Sequence, residues 1–281
     1  MFKYVVRSLQ GAVLAPAGRH RTRLQIELSE DMVPVVEVAL DGASSATIRF
    51  FCPSATALWR AETLLSKEPD TIEWIDGFGP EDVLWDIGAN LGVYSLYAAK
   101  RARARVLAFE PSAGNYWLLN KNIYLNRLDG LVTAYCLALS RQTSLGTFNM
   151  PDTDLGGALY AFGDVEGTIR SPDDTVRKVV FHQGGVGFSI DEFAKKFCPP
   201  RPTRVKIDVD GGESDILRGG LETLSAQRMQ SISVELDESS PAHVQAATEV
   251  LATCGLRLQR KTQARTADEA SRYIFNYLFV R

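Results

Sequence analysis

Val83-Leu84-Trp85-Asp86-Ile87-Gly88-Ala89-Asn90-Leu91-Gly92 is the stretch that decides the fold. Val83 to Ile87 reads as a buried strand that carries one acid, Asp86. Gly88 and Gly92 let the backbone turn tightly and let a ligand lie close to it. Val93 to Lys100 reads as the helix that follows. In open α/β sheets, ligands bind at the carboxyl ends of the strands, and this turn is such a place. The order is Asp-x-Gly-x-Asn-x-Gly rather than Gly-x-Gly-x-x-Gly, so a dinucleotide pyrophosphate is not the natural guest. An acid beside the turn suits a cationic or amine-bearing ligand. Taken alone, the pattern also fits an ordinary strand-turn-helix.

Downstream, strands and helices alternate. Arg105 to Phe109 reads as a second buried strand that ends in Glu110 and stops at Pro111. Leu131 to Leu139 reads as a third, ending at Ser140, and Thr203 to Asp210 as a fourth. After it, Leu217, Leu221 and Leu224 stand at i, i+4 and i+7 on one helix face. Ser231 to Leu236 is a fifth strand, and Tyr273 to Val280 closes the sheet with an antiparallel pairing. Repeated units of this kind predict a doubly wound, Rossmann-like α/β sheet.

Upstream, residues 1–53 read as a small β-rich cap and 54–281 as the main domain. Leu24 to Leu28 alternates like a half-buried strand. Val35 to Leu40 and Ala46 to Phe51 flank Asp41-Gly42-Ala43-Ser44-Ser45, a hairpin signal. A long insertion, Arg141 to Pro202, breaks the strand-helix rhythm. It carries Gly156-Gly157, Gly184-Gly185 and Asp164-Val165-Glu166-Gly167. Loops this long inside a domain are usually functional, and short strands are expected at Val179 to Phe181 and Phe188 to Ile190. Ser189 or Asp191 is expected to cap a helix from Glu192 to Phe197.

The composition narrows the classes. The 281 residues carry a net charge of −3, from 31 basic and 34 acidic side chains. That balance gives no basic stripe for nucleic acid or an anionic membrane. Cys52, Cys136, Cys198 and Cys254 are far apart and form neither a zinc nor a disulfide pattern. Reduced thiols and a cytoplasmic protein are expected. Apolar runs are strand-sized, short of the roughly 20 residues a membrane span needs. The start, Met1 to Ala17, resembles a signal peptide only weakly. Nothing in the composition fixes an oligomeric state.

Two further acids carry chemistry. Glu110 follows Asp86 by 24 positions, at the end of the second strand. An acid there can accept hydrogen bonds from both ribose hydroxyls of a nucleoside, or simply cap the next turn. In Lys206-Ile207-Asp208-Val209-Asp210-Gly211-Gly212-Glu213, the charged side chains alternate to one face. Charges on a central strand are costly to bury unless paired or facing a polar cleft.

Together, Asp86 to Gly92, Phe109-Glu110-Pro111, Ser189-Ile190-Asp191 and Lys206 to Glu213 resemble the FkbM family of S-adenosylmethionine-dependent methyltransferases. Val234-Glu235-Leu236 and Asn276 to Phe279 are also similar. The resemblance runs from about Ala55 to the C-terminus. It departs at Asp210-Gly-Gly-Glu213, where Glu-Gly-Ala-Glu is commoner. It implies a class I methyltransferase sheet, S-adenosylmethionine as cofactor and O-methylation of a hydroxyl on a sugar or other small metabolite. The expected cofactor residues are Asp86, Gly88, Asn90 and Gly92 on the turn, Glu110 and Pro111 after the second strand, Ser140 after the third and Asp208 on the fourth. Asp210 and Glu213 are the candidates for the base on the acceptor side, with His182 as the outside candidate and Glu235 behind it. Lys206 either orients the acids or holds the acceptor. No metal is expected from the three histidines. Asp208, Asp210, Glu213, Glu235 and Asp237 are the acids that would hold magnesium if one were used. A nicotinamide oxidoreductase would need the absent glycine fingerprint. A catalytically silent nucleoside-binding or scaffold protein would not need acids facing the cleft.

Overall fold

A computed structural model describes residues 20, 22–23, 26–27, 34–40, 46–163, 167–170, 176–263 and 273–281. In chain order the elements are β1 (Val35–Ala39), β2 (Thr47–Phe51), α1 (Ala55–Glu62), α2 (Pro69–Asp76), β3 (Val83–Ile87), α3 (Val93–Arg101), β4 (Arg105–Phe109), α4 (Ala113–Asn126) and β5 (Val132–Tyr135). The third strand expected over Leu131 to Leu139 is split into β5 and β6 (Ala138–Leu139), which joins a second sheet; the insertion then holds β7 (Ser144–Met150), β8 (Ala161–Phe162), β9 (Thr168–Arg170), β10 (Val176–Lys178), β11 (Phe181–Phe188) and α5 (Ile190–Phe197). The chain ends with β12 (Arg204–Ile207), α6 (Glu213–Arg218), α7 (Leu221–Ser225), β13 (Ser231–Asp237), α8 (Pro241–Thr253), β14 (Arg257–Gln263) and β15 (Ile274–Val280).

The main sheet has seven strands in the order β14-β15-β13-β12-β3-β4-β5. β5, β4, β3, β12 and β13 are parallel, and β15 runs antiparallel to β13 and β14. All five residues of β3 are buried, as expected of a parallel strand covered on both faces. Alternate residues enter opposite cores. Leu84, Val106 and Ala108 pack with Ile48, Phe50 and Leu96. Trp85, Ile87, Leu107 and Phe109 pack with Phe193, Leu217 and Leu251 on the other side. The strand reversal from β3 outward, with β4 on one side and β12 on the other, opens a crevice at the carboxyl edge.

Four expectations need correction. The chain divides into Met1–Val35 and Val36–Arg281, not at residue 53. β1 and β2 pair as the hairpin signal predicts, but Ile48 and Phe50 sit in the main core, so β2 belongs to the larger unit. The strand expected over Leu24 to Leu28 is helical at Ile26 and Glu27. Arg23 and Glu27 pair at i,i+4 with 2.9 Å, a spacing that favours helix. Leu24, Gln25, Leu28, the loop 41–45, residues 1–19 and Asp164 to Glu166 lie outside the described residues.

The insertion forms a small sheet with β6 rather than a loop, in the order β6-β11-β7-β8. Val179 and Val180 precede its longest strand, and Phe188 ends it rather than starting a new one. Two of its glycines make room for packing. A Cβ on Gly187 or Gly146 would meet the Phe162 ring at 2.5 and 2.8 Å. The single helix expected through Leu217 and Leu224 is two, α6 and α7, broken at Gly219-Gly220. A Cβ on Gly219 would lie 2.4 Å from the Ser140 carbonyl, so the break lets β6's exit approach closely. Leu217 and Leu224 are buried while Leu221 is exposed.

Candidate active site

Gly88 explains how the turn meets β12. Its φ is +85°, and a Cβ there would lie 1.9 Å from the Asp208 carbonyl oxygen. Glycine alone lets the two strand ends close on each other. Gly92, at φ +90°, makes room for Leu119 instead, so it shapes the turn without lining a cleft.

Two clefts meet at this edge and share Gly88, Pro111, Phe148, Tyr160, Val209 and Asp210. The first spans about 850 Å³ with its open mouth and is also lined by Asp86, Asn90, Glu110, Lys206, Asp208 and Arg60. The second is lined by Phe109, Leu137, Leu139, Ser140, Phe162 and Ile216, with Asp210 and Asp215 at its edge. The predicted cofactor residues therefore converge, Gly92 excepted.

Glu110 is buried and accepts from the Asn90 amide at 2.8 Å and the Ser112 amide at 2.9 Å. Burial pushes its carboxyl up to about 7, against the pull of these two N–H donors. Asp86 is also buried and accepts from the Ser95 hydroxyl at 2.5 Å; burial raises its pKa.

Lys206 is Asp86's register partner on β12 and is 1% exposed. Its ammonium lies 2.5 Å from Asp208, 4.0 Å from Glu68 and 4.7 Å from the Tyr94 ring centroid. Burial opposes every charge here. Asp208 and Glu68 nevertheless keep Lys206 protonated, and Lys206 holds both acids below the usual carboxylate range. Glu235 behaves oppositely: burial and the nearby Asp208 push it well up. Oxygens of Glu68, Asp208 and Glu235 lie within 4.8 Å of one another, the acid group among the described residues with metal-ligand spacing. Asp210, Glu213 and Asp237 do not belong to it. The Lys206 ammonium already supplies a cation to two of the three.

Asp210 and Glu213 part company. Asp210 lines both clefts. Its Oδ2 accepts from the Leu159 amide at 2.5 Å and the Tyr160 amide at 3.1 Å; the residue is exposed at the cleft mouth, but desolvation of the carboxyl by the surrounding protein pushes it up to about 6. Glu213 lines neither cleft. It accepts from Gly211 N and Gly212 N at 3.1 and 3.0 Å, and its Oε2 lies 3.0 Å from His243 Nε2. It holds the turn into α6, which is a correction to its candidacy as a base. His182 also lines neither cleft; its Nδ1 lies 2.8 Å from Asn149 Oδ1 across β11 and β7. Ser189 caps α5 by accepting from Glu192 N at 3.1 Å. Asp191 instead accepts from Glu222 N and Thr223 N at 2.9 and 2.8 Å, at the start of α7.

The sequence predicts α1, with Ser54 as its cap, but not the part that it and the strap opposite it play in the site. Residues 155–160 are stitched over the first cleft by side chains from across the motifs. Ser54 donates to Leu155 O at 2.6 Å, Arg60 Nε to Gly156 O at 2.7 Å, and Asn90 Nδ2 to Gly157 O at 2.8 Å. Asn115 accepts from Gly156 N at 2.8 Å and donates to Gly157 O at 3.1 Å. Arg60, Lys67 and Glu68 gave no signal beyond an amphipathic helix followed by a proline.

A parallel sheet, a glycine turn after its central strand and an acid after the next define a Rossmann-like α/β fold of the methyltransferase kind. Residues 86–258 match the family described as the Methyltransferase FkbM domain, and the chain belongs to that family. The hexuronic acid methyltransferase AglP of Haloferax volcanii is 26% identical over 183 residues, 65% of this chain and 68% of that protein. Methyltransferase 1 of Beauveria bassiana is 26% identical over 169 residues, 58% of this chain and 67% of that protein. The crystal structure of methyltransferase FkbM from Methylobacillus flagellatus KT is 13% identical with a TM-score of 0.45, covering 80% of this chain and 55% of that one. Among the described residues no helix is long and apolar enough to cross a membrane.

Proposed function

We propose that this chain is an S-adenosylmethionine-dependent O-methyltransferase that acts on a hydroxyl of a sugar or other small metabolite. The observation that carries the reading is Glu110, buried at the end of β4 beside the Gly88–Asn90 turn and lining the same cleft as Asp208. The residues fit the donor. Glu110 has acceptor capacity left for ribose hydroxyls after two amide bonds. The Phe109, Leu137, Leu139 and Ile216 side chains of the second cleft suit a flat base, and the acids of the first suit an ammonium and a sulfonium. The name of the Haloferax relative favours a sugar acid among the possible acceptors.

The donor, when bound, supplies a methyl carbon already activated by the sulfonium. The protein's task is alignment and removal of the hydroxyl proton. Asp210 is the proposed base, since it reaches both clefts and its pKa of about 6 lies near working pH. Lys206 keeps Asp208 ionised as a fixed negative charge beneath the site.

Calorimetry tests the donor. S-adenosylhomocysteine should bind and NAD should not. Glu110→Ala should weaken the former by about ten- to hundred-fold, the worth of hydrogen bonds to a charged group. Tight NAD binding, or unchanged affinity in the variant, would end the reading.

A further inference from the structure

The two clefts differ in a way that orients the donor. The second is walled by Phe109, Leu137, Leu139 and Ile216, which suit a flat base. The first holds the charged side chains, which suit the amino-acid end. That end carries an ammonium, for which Asp86 and Asp208 are at hand, and a carboxylate. A carboxylate leaving water needs a cation or several N–H donors.

Three cations line the first cleft. Lys206 is consumed by Asp208 at 2.5 Å and Glu68 at 4.0 Å. Lys67 is paired with Glu68 at 3.1 Å. Arg60 is different. Its Nε donates to Gly156 O at 2.7 Å, while its two terminal nitrogens have no acid within ion-pair reach among the described residues. A guanidinium carries five donors in a rigid fork, so one edge can hold the strap while the other takes a carboxylate.

We infer that Arg60 binds the α-carboxylate of the methyl donor and ties that end of the ligand to the strap over the cleft. The inference rests on the S-adenosylmethionine reading. The strap contact gives it a structural consequence. The side chain that receives the carboxylate also holds Gly156, whose amide is fixed by Asn115. Seating the amino-acid end therefore loads the same element that Asp210 anchors through Leu159 and Tyr160.

The test is calorimetry with two ligands on wild type, Arg60→Gln and Arg60→Lys. S-adenosylhomocysteine has the carboxylate; 5′-methylthioadenosine is the same nucleoside thioether without the amino-acid end. Arg60→Gln should lose about ten- to hundred-fold in affinity for the first and nothing for the second. Arg60→Lys, which keeps the charge but not the fork, should lose less. Melting temperatures without ligand report the fold separately. Equal losses for both ligands would overturn the inference by making Arg60 a support of the strap. Unchanged S-adenosylhomocysteine affinity would also overturn it and pass the guanidinium to an acceptor carboxylate. That source is read by whether glucuronate raises the melting temperature of wild type but not of Arg60→Gln. If wild type binds neither nucleoside, the donor reading itself has failed, not only the role of Arg60.

Discussion

Glu110, buried at the end of β4, and Asp208, half-buried just past β12, are acids of one cleft with opposite fates. Glu110 meets only amides, from Asn90 and Ser112, and burial lifts it to about 7. Asp208 is touched by the Lys206 ammonium at 2.5 Å, which overcomes burial and holds it well below the carboxylate range. Two amide donors do not offset desolvation at one strand end; a contacting cation does so at the next. The cleft thus carries a titrating acid and a permanent charge a few residues of sheet apart. Asp210 resembles Glu110 rather than Asp208: amide partners, no contacting cation, and a pKa lifted to about 6.

The largest expected effect sharpens that grouping. If Asp210 takes the acceptor's proton, Asp210→Asn should lower turnover by about 10²–10⁴. Affinity for S-adenosylhomocysteine should hold within a few-fold. A parallel loss of donor affinity would assign Asp210 to the strap alone, through Leu159 and Tyr160.

The next effect breaks the comparison outright. Lys206→Met keeps the stem and removes the charge, leaving Asp208 without its contacting cation and Glu68 with Lys67 alone. Removing one partner of a buried pair costs about 3–5 kcal/mol, to be read from urea unfolding at neutral pH. An acid whose folded pKa is depressed contributes stability above its ordinary value of about 3.9 and loses it as pH falls through the folded pKa. The deficit should therefore shrink in acid, where the stranded carboxyls protonate. A variant as stable as wild type at pH 7 would mean that Asp208 needs no cation.

What the sequence made legible follows the same physics. β3 and β4 are near-continuous apolar runs closed by glycine or proline, and β12 and β13 alternate apolar with polar residues, so all four read directly. β11 is polar and glycine-rich; it and β7 pack through Phe162, which lies on Gly146, Gly185 and Gly187 and against the small Phe148, Met150 and Tyr160 cluster. No alternation announces such a sheet. The turn acids were legible because they sit one residue beyond an apolar run. Glu213 and His182 show the limit. A side chain's type was readable, but its direction was not: Glu213 turns back onto Gly211, Gly212 and His243, and His182 onto Asn149. Arg60, Lys67 and Glu68 were invisible as site residues, because nothing local says that α1 covers the carboxyl edge.

The smallest effect tests the other side of the comparison through pH. Glu110's carboxyl stands at about 7 without ligand. Ribose hydroxyls donate to it, so the bound state favours the ionised form. Binding must then release a proton below pH 7, and donor affinity must rise with pH until Glu110 is ionised. For one group titrating near 7, the gain in S-adenosylhomocysteine affinity from pH 6 to pH 8 is about tenfold, levelling above. Calorimetry in buffers of different ionisation enthalpy should count close to one proton released at pH 6. The ligand-free protein should show the reverse. A carboxyl raised from about 4.3 costs stability as pH climbs toward its folded value, so the melting temperature should sag between these limits. Glu110→Gln should flatten both profiles. If wild-type affinity is already flat from pH 6 to 8, Glu110 is ionised before the ligand arrives. A cation then reaches it as Lys206 reaches Asp208, and Arg60, already at the cleft wall and lowering the Glu110 carboxyl through its charge, is the one to test.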